Sequence, residues 1–222
     1  MLFSSSLNQC INKFHQHYEE QRIWERTSWM GVPMWKLPFD ALVLQEIIST
    51  VRPDMIIETG TGRGGSALFY SSLMNLMEIP GIVVTVDVED KVSKAVMNRH
   101  ATPIWDKYVT QLIGSSVSDH IVKDIEKRIV DRTNIMVILD SWHSYDHVLK
   151  ELDIYSSMVS IDSYLIVEDT HVSGHPIKWA WGKGPFEAVQ EFLKYRTMFK
   201  RDEYCERHLM TFNPSGYLRR TK

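Results

Sequence analysis

Up to residue 52 the apolar positions recur at helical spacing. Leu7, Ile11, Phe14 and Tyr18 mark one face of an amphipathic helix within residues 7–26. Leu42, Val43, Leu44, Ile47 and Ile48 predict a second helix over residues 39–51, closed before Pro53. Gly31-Val32-Pro33, with Pro38 soon after, reads as a turn-rich join between them. From residue 53 the rhythm changes to strand, turn, helix. Met55-Ile56-Ile57 runs into glycines and a helix over 66–77, and residues 82–88 (IVVTVDV) are β-branched enough for a buried parallel strand. Strands follow at 109–113, 135–139 (IMVIL) and 164–167 (YLIV), with helices between them at 116–130 and 147–159 and another after the last strand at 185–199. The tail, 208–219, has the pattern of a hairpin turned at Asn213-Pro214-Ser215-Gly216.

Strands separated by helical stretches predict an α/β fold, a mostly parallel central sheet with helices on both faces. An antiparallel C-terminal hairpin closes it, and N-terminal helical additions precede it. No linker interrupts the pattern, so residues 1–52 read as a helical extension of the same domain that residues 53–222 build.

Composition narrows the function classes. The chain has 222 residues, 44% hydrophobic and 11% aromatic, enough for a core, which excludes disorder. A formal charge of −3 argues against a nucleic-acid partner held by a basic face. Cys10 and Cys205 are the only cysteines, so neither a disulfide framework nor a CxxC zinc site is available. The first twenty residues lack a cationic, then apolar, leader pattern, and no uncharged apolar run reaches eighteen residues. A cytoplasmic protein is expected, with peripheral membrane contact left open.

The first strand ends in Glu58-Thr59-Gly60-Thr61-Gly62-Arg63-Gly64-Gly65-Ser66. Glycines there allow a tight turn and close approach of backbone to a ligand at a helix N-terminus. The spacing satisfies two fingerprints. Gly60-x-Gly62-x-x-Gly65 with Asp87, 22 residues further on, suits a dinucleotide, whereas ExGxGxG from Glu58 is the first motif of class I methyltransferases. Glu58 separates them: a carboxylate there repels a pyrophosphate but suits the ammonium group of S-adenosylmethionine. Asp87 accepts from ribose hydroxyls in either case. Glu58, Thr59, Gly60, Thr61, Gly62, Gly64, Ser66 and Asp87 are therefore candidate cofactor residues.

Two later strands also end in acids, Asp140 and the Glu168-Asp169 pair. The carboxyl ends of parallel strands form the ligand crevice, and three oxygen donors suit a hard cation such as Mg²⁺. His143, three residues after Asp140, is the candidate general base. His147 follows one turn later as a partner or bystander. His171, His175, Trp179 and Trp181 fall in a long loop that reads as a lid or acceptor-binding segment.

In combination GVPMWKLPFD, IIETGTGRGGSALF, VVTVDVED, IGSS, MVILDSWHSYDHVLKELDIYS, YLIVEDT, GHP, GPFEAVQEFL and LMTFNPSGYLRR resemble the cephalosporin hydroxylase/rhamnosyl O-methyltransferase family from about Gly31 to Arg220. The resemblance implies a Rossmann-like class I methyltransferase fold, S-adenosylmethionine and Mg²⁺ as cofactors, and an O-methyltransferase acting on a sugar, glycolipid or related acceptor. It implies a metal site at Asp140, Glu168 and Asp169, and adds the Gly114-Ser115-Ser116 turn and Asp140 to the cofactor contacts. Self-association is a further expectation. The 140–143 segment is also similar to catechol O-methyltransferases, where a Lys stands in the place of His143. An iron oxygenase is disfavoured, because the His-x-Glu element that is present, His17-Tyr18-Glu19, falls in the predicted N-terminal helix and away from the strand ends. A non-catalytic cofactor-binding member and an NAD-dependent oxidoreductase remain as alternatives.

Overall fold

In the computed structural model residues 5–92, 96, 98, 100–178 and 182–222 are described. Trp179 and Trp181, read above as part of a lid, lie outside them. The N-terminal segment forms α1 (Ser5–Glu20), a 3₁₀ turn (Ile23–Arg26), a two-stranded antiparallel ribbon of β1 (Ser28–Trp29) and β2 (Val32–Pro33), and α2 (Pro38–Val51). The helical pattern of residues 7–26 thus breaks near its end, where Arg22 adopts a left-handed conformation (φ 48°).

The body alternates as expected: β3 (Met55–Thr59), α3 (Gly65–Leu76), β4 (Ile82–Asp87), α4 (Thr102–Tyr108), β5 (Val109–Ile113), α5 (Asp119–Ile129), β6 (Ile135–Leu139), α6 (Tyr145–Tyr155), β7 (Tyr164–Val167), α7 (Pro185–Tyr195), β8 (Phe199–Arg201) and β9 (Tyr217–Arg220). Helix α4 was not foreseen; seven residues with Pro103 in the first turn are too short to establish a period.

The sheet order is β5-β4-β3-β6-β7-β9-β8, with β3 through β7 parallel and β9 antiparallel to both β7 and β8. The C-terminal antiparallel pair therefore exists, but its strands differ from those expected. The 213–216 turn leads into β9, while the partner strand β8 begins at Phe199, the last residue assigned above to a helix. Phe199 is buried in the sheet core, which draws the chain out of helix once α7 has ended at Tyr195.

Strand alternation builds two cores. Met55 and Ile57 of β3 face Ile121 and Ile125 of α5 and Leu152 of α6, whereas Ile56 faces Leu44 and Ile48 of α2 and Leu73 of α3. Strand order reverses between β3 and β6, where the chain crosses from one half of the sheet to the other. The carboxyl ends of β3, β4, β6 and β7 converge beside that point. No helix among the described residues is long and apolar enough to cross a membrane.

Candidate active site

The turn after β3 is built by close approach. Gly60 has φ +91°, and a Cβ on it would lie 1.9 Å from the carbonyl oxygen of Asp140. The backbone clasps across the neighbouring strands: Gly60 N donates to Val86 O (2.7 Å) and Asp140 N to Thr59 O (2.9 Å). Gly65 opens α3 against β2, and a Cβ there would meet Pro33 O at 2.2 Å. The glycine loop is thus held between the end of β6 and the N-terminal ribbon.

A cleft of about 390 Å³ opens over these strand ends. Gly60, Thr61, Gly62, Ser66, Asp87, Ser115, Ser116, Asp140, His143 and Asp169 all line it, so most sequence-predicted site residues meet in one place. Asp87 Oδ2 accepts from Gly62 N at 2.9 Å, which fixes its carboxylate beside the loop. Thr59, Gly64, Glu58 and Glu168 are not part of the lining. Thr59 and Glu58 support the wall from behind. Glu58 is wholly buried and accepts from Thr85 Oγ1 at 2.6 Å. Burial pushes its pKa up to about 7, against the Lys36 charge and hydrogen bonds from Ser66 and Thr85.

Ligand atoms of Asp140, His143 and Asp169 lie within 4.8 Å of one another, two carboxylates that fit a hard divalent cation with an imidazole beside them. His143 Nε2 is 3.2 Å from Asp169 Oδ2. Glu168, expected as a third oxygen ligand, is not in that set and is buried behind it. Lys36 Nζ sits 2.9 Å from Glu168 Oε1 and 3.1 Å from Asp140 Oδ2. Lys36 is 3% exposed. Burial opposes its charge, but Asp140 and Glu168 outweigh that and hold its pKa well above the ordinary value. Burial raises the Asp140 pKa, with Lys36 acting in the opposite direction. Sequence reasoning missed Lys36. The available signal was a single cation in an apolar stretch, Met34-Trp35-Lys36-Leu37-Pro38, which must find carboxylates if that stretch is buried.

The opposite wall comes from both ends of the chain. Glu19 of α1, Trp24 and Trp35 line the cleft with Trp142, His171 and Phe212. Trp24 and Trp35 meet edge to face (centroids 5.9 Å), and the Arg63 guanidinium lies 5.7 Å from the Trp35 ring centre. Trp24 belongs to this wall, whereas Trp29 packs on Phe69 and donates to Ser72 Oγ at 2.6 Å. His175 pairs with Glu187 (2.7 Å) and stacks on Phe186, away from the lining. His147 lines the cofactor end, 3.1 Å from Ser141 Oγ and 3.3 Å from Ser116 Oγ.

The C-terminal turn braces this wall. Asp169 N donates to Asn213 Oδ1 (3.0 Å) and Thr170 Oγ1 to Pro214 O (2.7 Å). Asp40 of α2 anchors the same turn by accepting from Phe212 N (2.8 Å), Thr211 Oγ1 (2.6 Å) and Tyr217 OH (3.0 Å). Burial pushes the Asp40 pKa up to about 7.

The family model described as rhamnosyl O-methyltransferase/CmcI matches residues 21–221. The rhamnosyl O-methyltransferase of Mycobacterium tuberculosis is 31% identical over 221 residues, 98% of this chain and 87% of that protein. The Mycobacterium leprae protein of the same name is 29% identical over 210 residues, 93% of this chain and 88% of its own. Among solved structures, CmcI with Mg and SAM aligns with a TM-score of 0.66 at 17% identity, covering 89% of this chain and 78% of that one. A caffeoyl-CoA O-methyltransferase-like protein from Staphylococcus aureus aligns at 0.57 and 15% identity, covering 89% and 93%. These structural likenesses identify the fold as that of class I methyltransferases.

Proposed function

This chain belongs to the rhamnosyl O-methyltransferase/CmcI family, and from that premise we propose that it is an O-methyltransferase moving the methyl group of S-adenosylmethionine to a sugar-type hydroxyl, with a divalent cation such as Mg²⁺. The observation that carries the reading is the convergence of Asp140, His143 and Asp169 at one end of a glycine-loop cleft. When bound, the sulfonium cofactor supplies the electrophilic methyl group and the cation acidifies a hydroxyl held beside it.

The protein residues do the rest. Gly60, Thr61 and Gly62 bring backbone against the cofactor, and Asp87 accepts from its ribose hydroxyls. Ser115 and Ser116, which line the cleft after β5, would contact the cofactor. Asp140 and Asp169 would hold the cation, while Lys36 keeps Asp140 and Glu168 in place. His143 takes the acceptor proton, and Asp169, 3.2 Å away, stabilises the imidazolium that forms. Alignment of hydroxyl oxygen, methyl carbon and sulfur in one cleft contributes through proximity, an effect worth up to roughly 7–11 kcal/mol.

The acceptor is a small sugar or glycolipid, and Trp24, Trp35 and Trp142 offer apolar surface to its ring. The test is transfer of labelled methyl from S-adenosylmethionine to methyl α-rhamnopyranoside. The wild-type chain forms the methyl ether with Mg²⁺, while excess chelator or Asp140→Ala abolishes it. Full turnover in chelator overturns the metal role, and absence of any methyl ether across a panel of sugar acceptors overturns the transferase reading.

A further inference from the structure

His171 has one nitrogen committed and one open. Nδ1 lies 2.9 Å from Phe212 O, which sets it as the donor. Nε2 is buried and has no hydrogen-bond partner among the described residues, although the side chain is only 3% exposed and lines the cleft. Across from it, 3.7 Å away, is Oε2 of Glu19, whose side chain is 12% exposed and also lines the cleft. That separation is too long for a direct hydrogen bond. A hydroxyl oxygen would nevertheless reach both atoms at ordinary hydrogen-bond length. On the other side of the ring, His171 Nδ1 is 3.7 Å from Asp169 Oδ1, so the gap lies one imidazole beyond the proposed metal centre.

The ring cannot turn to satisfy itself. It stacks on Phe212 (centroids 4.2 Å) and on His15 of α1 (5.0 Å), and His15 stacks in turn over Phe212 (5.4 Å). Burial lowers the His15 pKa to about 3, and the positive neighbour His171 adds to the shift, so His15 serves as a neutral aromatic plate. A rigid, buried, half-satisfied polar group beside a carboxylate is prepared for a ligand atom, since leaving such a group dry is costly. The indole N–H of Trp24, on the same wall, is also buried and has no hydrogen-bond partner among the described residues.

We propose that Glu19 and His171 form a hydroxyl-binding subsite of the acceptor pocket, which takes a second hydroxyl of a neutral polyol ring alongside the hydroxyl that is methylated. This rests on the transferase reading for the name of the reacting hydroxyl, but its binding chemistry stands on the pair itself. One hydroxyl satisfies both groups, because its proton goes to the Glu19 carboxylate while its oxygen accepts from His171 Nε2. The subsite belongs in part to α1, so the N-terminal helix sets acceptor specificity.

The experiment measures binding, without turnover. Saturation-transfer NMR gives the affinity of methyl α-rhamnopyranoside and each of its monodeoxy analogues for the full chain loaded with S-adenosylhomocysteine and Mg²⁺. Wild type should lose about tenfold in affinity for one of the analogues. Glu19→Gln and Glu19→Ala should weaken the parent sugar by a similar factor and bind parent and that analogue equally, with melting temperature and S-adenosylhomocysteine affinity reporting an intact fold. Retention of the wild-type discrimination in both variants overturns the subsite, as does a wild type that binds every analogue as well as the parent. Intact discrimination without methyl transfer would instead sink the transferase reading and leave the subsite standing.

Discussion

Replacing Lys36 by Met keeps most of the side-chain volume and removes the one ammonium that sits between Asp140 and Glu168. Lys36 and Glu168 are 3% and 4% exposed at the side chain and Asp140 25%, so the two carboxylates lose a counter-ion that water only partly replaces. Breaking a buried pair from one side costs about 3–5 kcal/mol, a large part of a domain's stability. The pH dependence distinguishes this cause from lost packing. In wild type the Lys36 pKa is raised, so its contribution is complete below the ordinary lysine value and is lost only as pH climbs through the higher folded one. Without Lys36 the folded pKa of Asp140 rises further, while its unfolded value stays near 4. The folded variant then holds protons that its unfolded chain has released, and stability falls with rising pH above about 4. Urea unfolding followed by tryptophan fluorescence should show a small deficit near pH 5 and the full deficit near pH 8. Adding Glu168→Gln should return about half of the loss at pH 8. A deficit independent of pH, or strictly additive double-variant energies, refutes the charge argument.

Gly60→Ala places a Cβ where the Asp140 carbonyl stands, 1.9 Å away at φ +91°, so the β3 turn must separate from β6. A loss of about 3 kcal/mol or more and failure to bind S-adenosylhomocysteine by calorimetry are expected, and near-normal binding would show that the turn is not fixed by this contact. His15→Phe keeps the stack over His171 but removes a group whose pKa is lowered to about 3, by burial and then by the His171 charge. The stability that neutral His15 confers is complete above pH 6.5 and lost as pH falls from there toward 3, so the variant should gain up to about 2 kcal/mol over wild type at pH 5, read from melting curves. Parallel melting curves from pH 7 to pH 4 would exclude that role.

Much of the fold was legible because its strands are short β-branched runs at α/β spacing, and buried parallel strands leave few other readings. Residues 135–139 and 164–167 were placed to the residue for that reason. The site was legible in its chain-local part. Gly60, Gly62, Asp87, Asp140 and Asp169 follow strand ends, and strand ends of a parallel sheet must meet. The rest depends on contacts across long sequence separations. Nothing near residue 168 signals that Glu168 pairs with Lys36, and nothing near residue 212 signals that Phe212 stacks on both His171 and His15. The sequence pattern carries the helix through residue 199 and shows no strand at 199–201, because periodicity cannot report that Tyr217–Arg220 pairs with them.

The missed residues share an origin, and this alters how the N-terminal segment is to be read. Glu19, Trp24 and Lys36 all precede residue 53, where the sequence rhythm suggests an extension laid on a finished fold. The strand ends by themselves gather acids: Glu58, Asp140, Glu168 and Asp169 lie on three adjacent strands with no cation among them. Such a cluster resists burial unless positive charge is supplied. Lys36 supplies it from the N-terminal side, carried in beside β2, where Gly65 lets Pro33 approach α3. The same segment brings the aromatic wall and the Glu19 carboxylate. The acid-rich half provides chemistry common to the fold, and the N-terminal half neutralises, encloses and selects. Variation in acceptor among relatives of this architecture should therefore follow residues 15–36 more closely than the glycine loop.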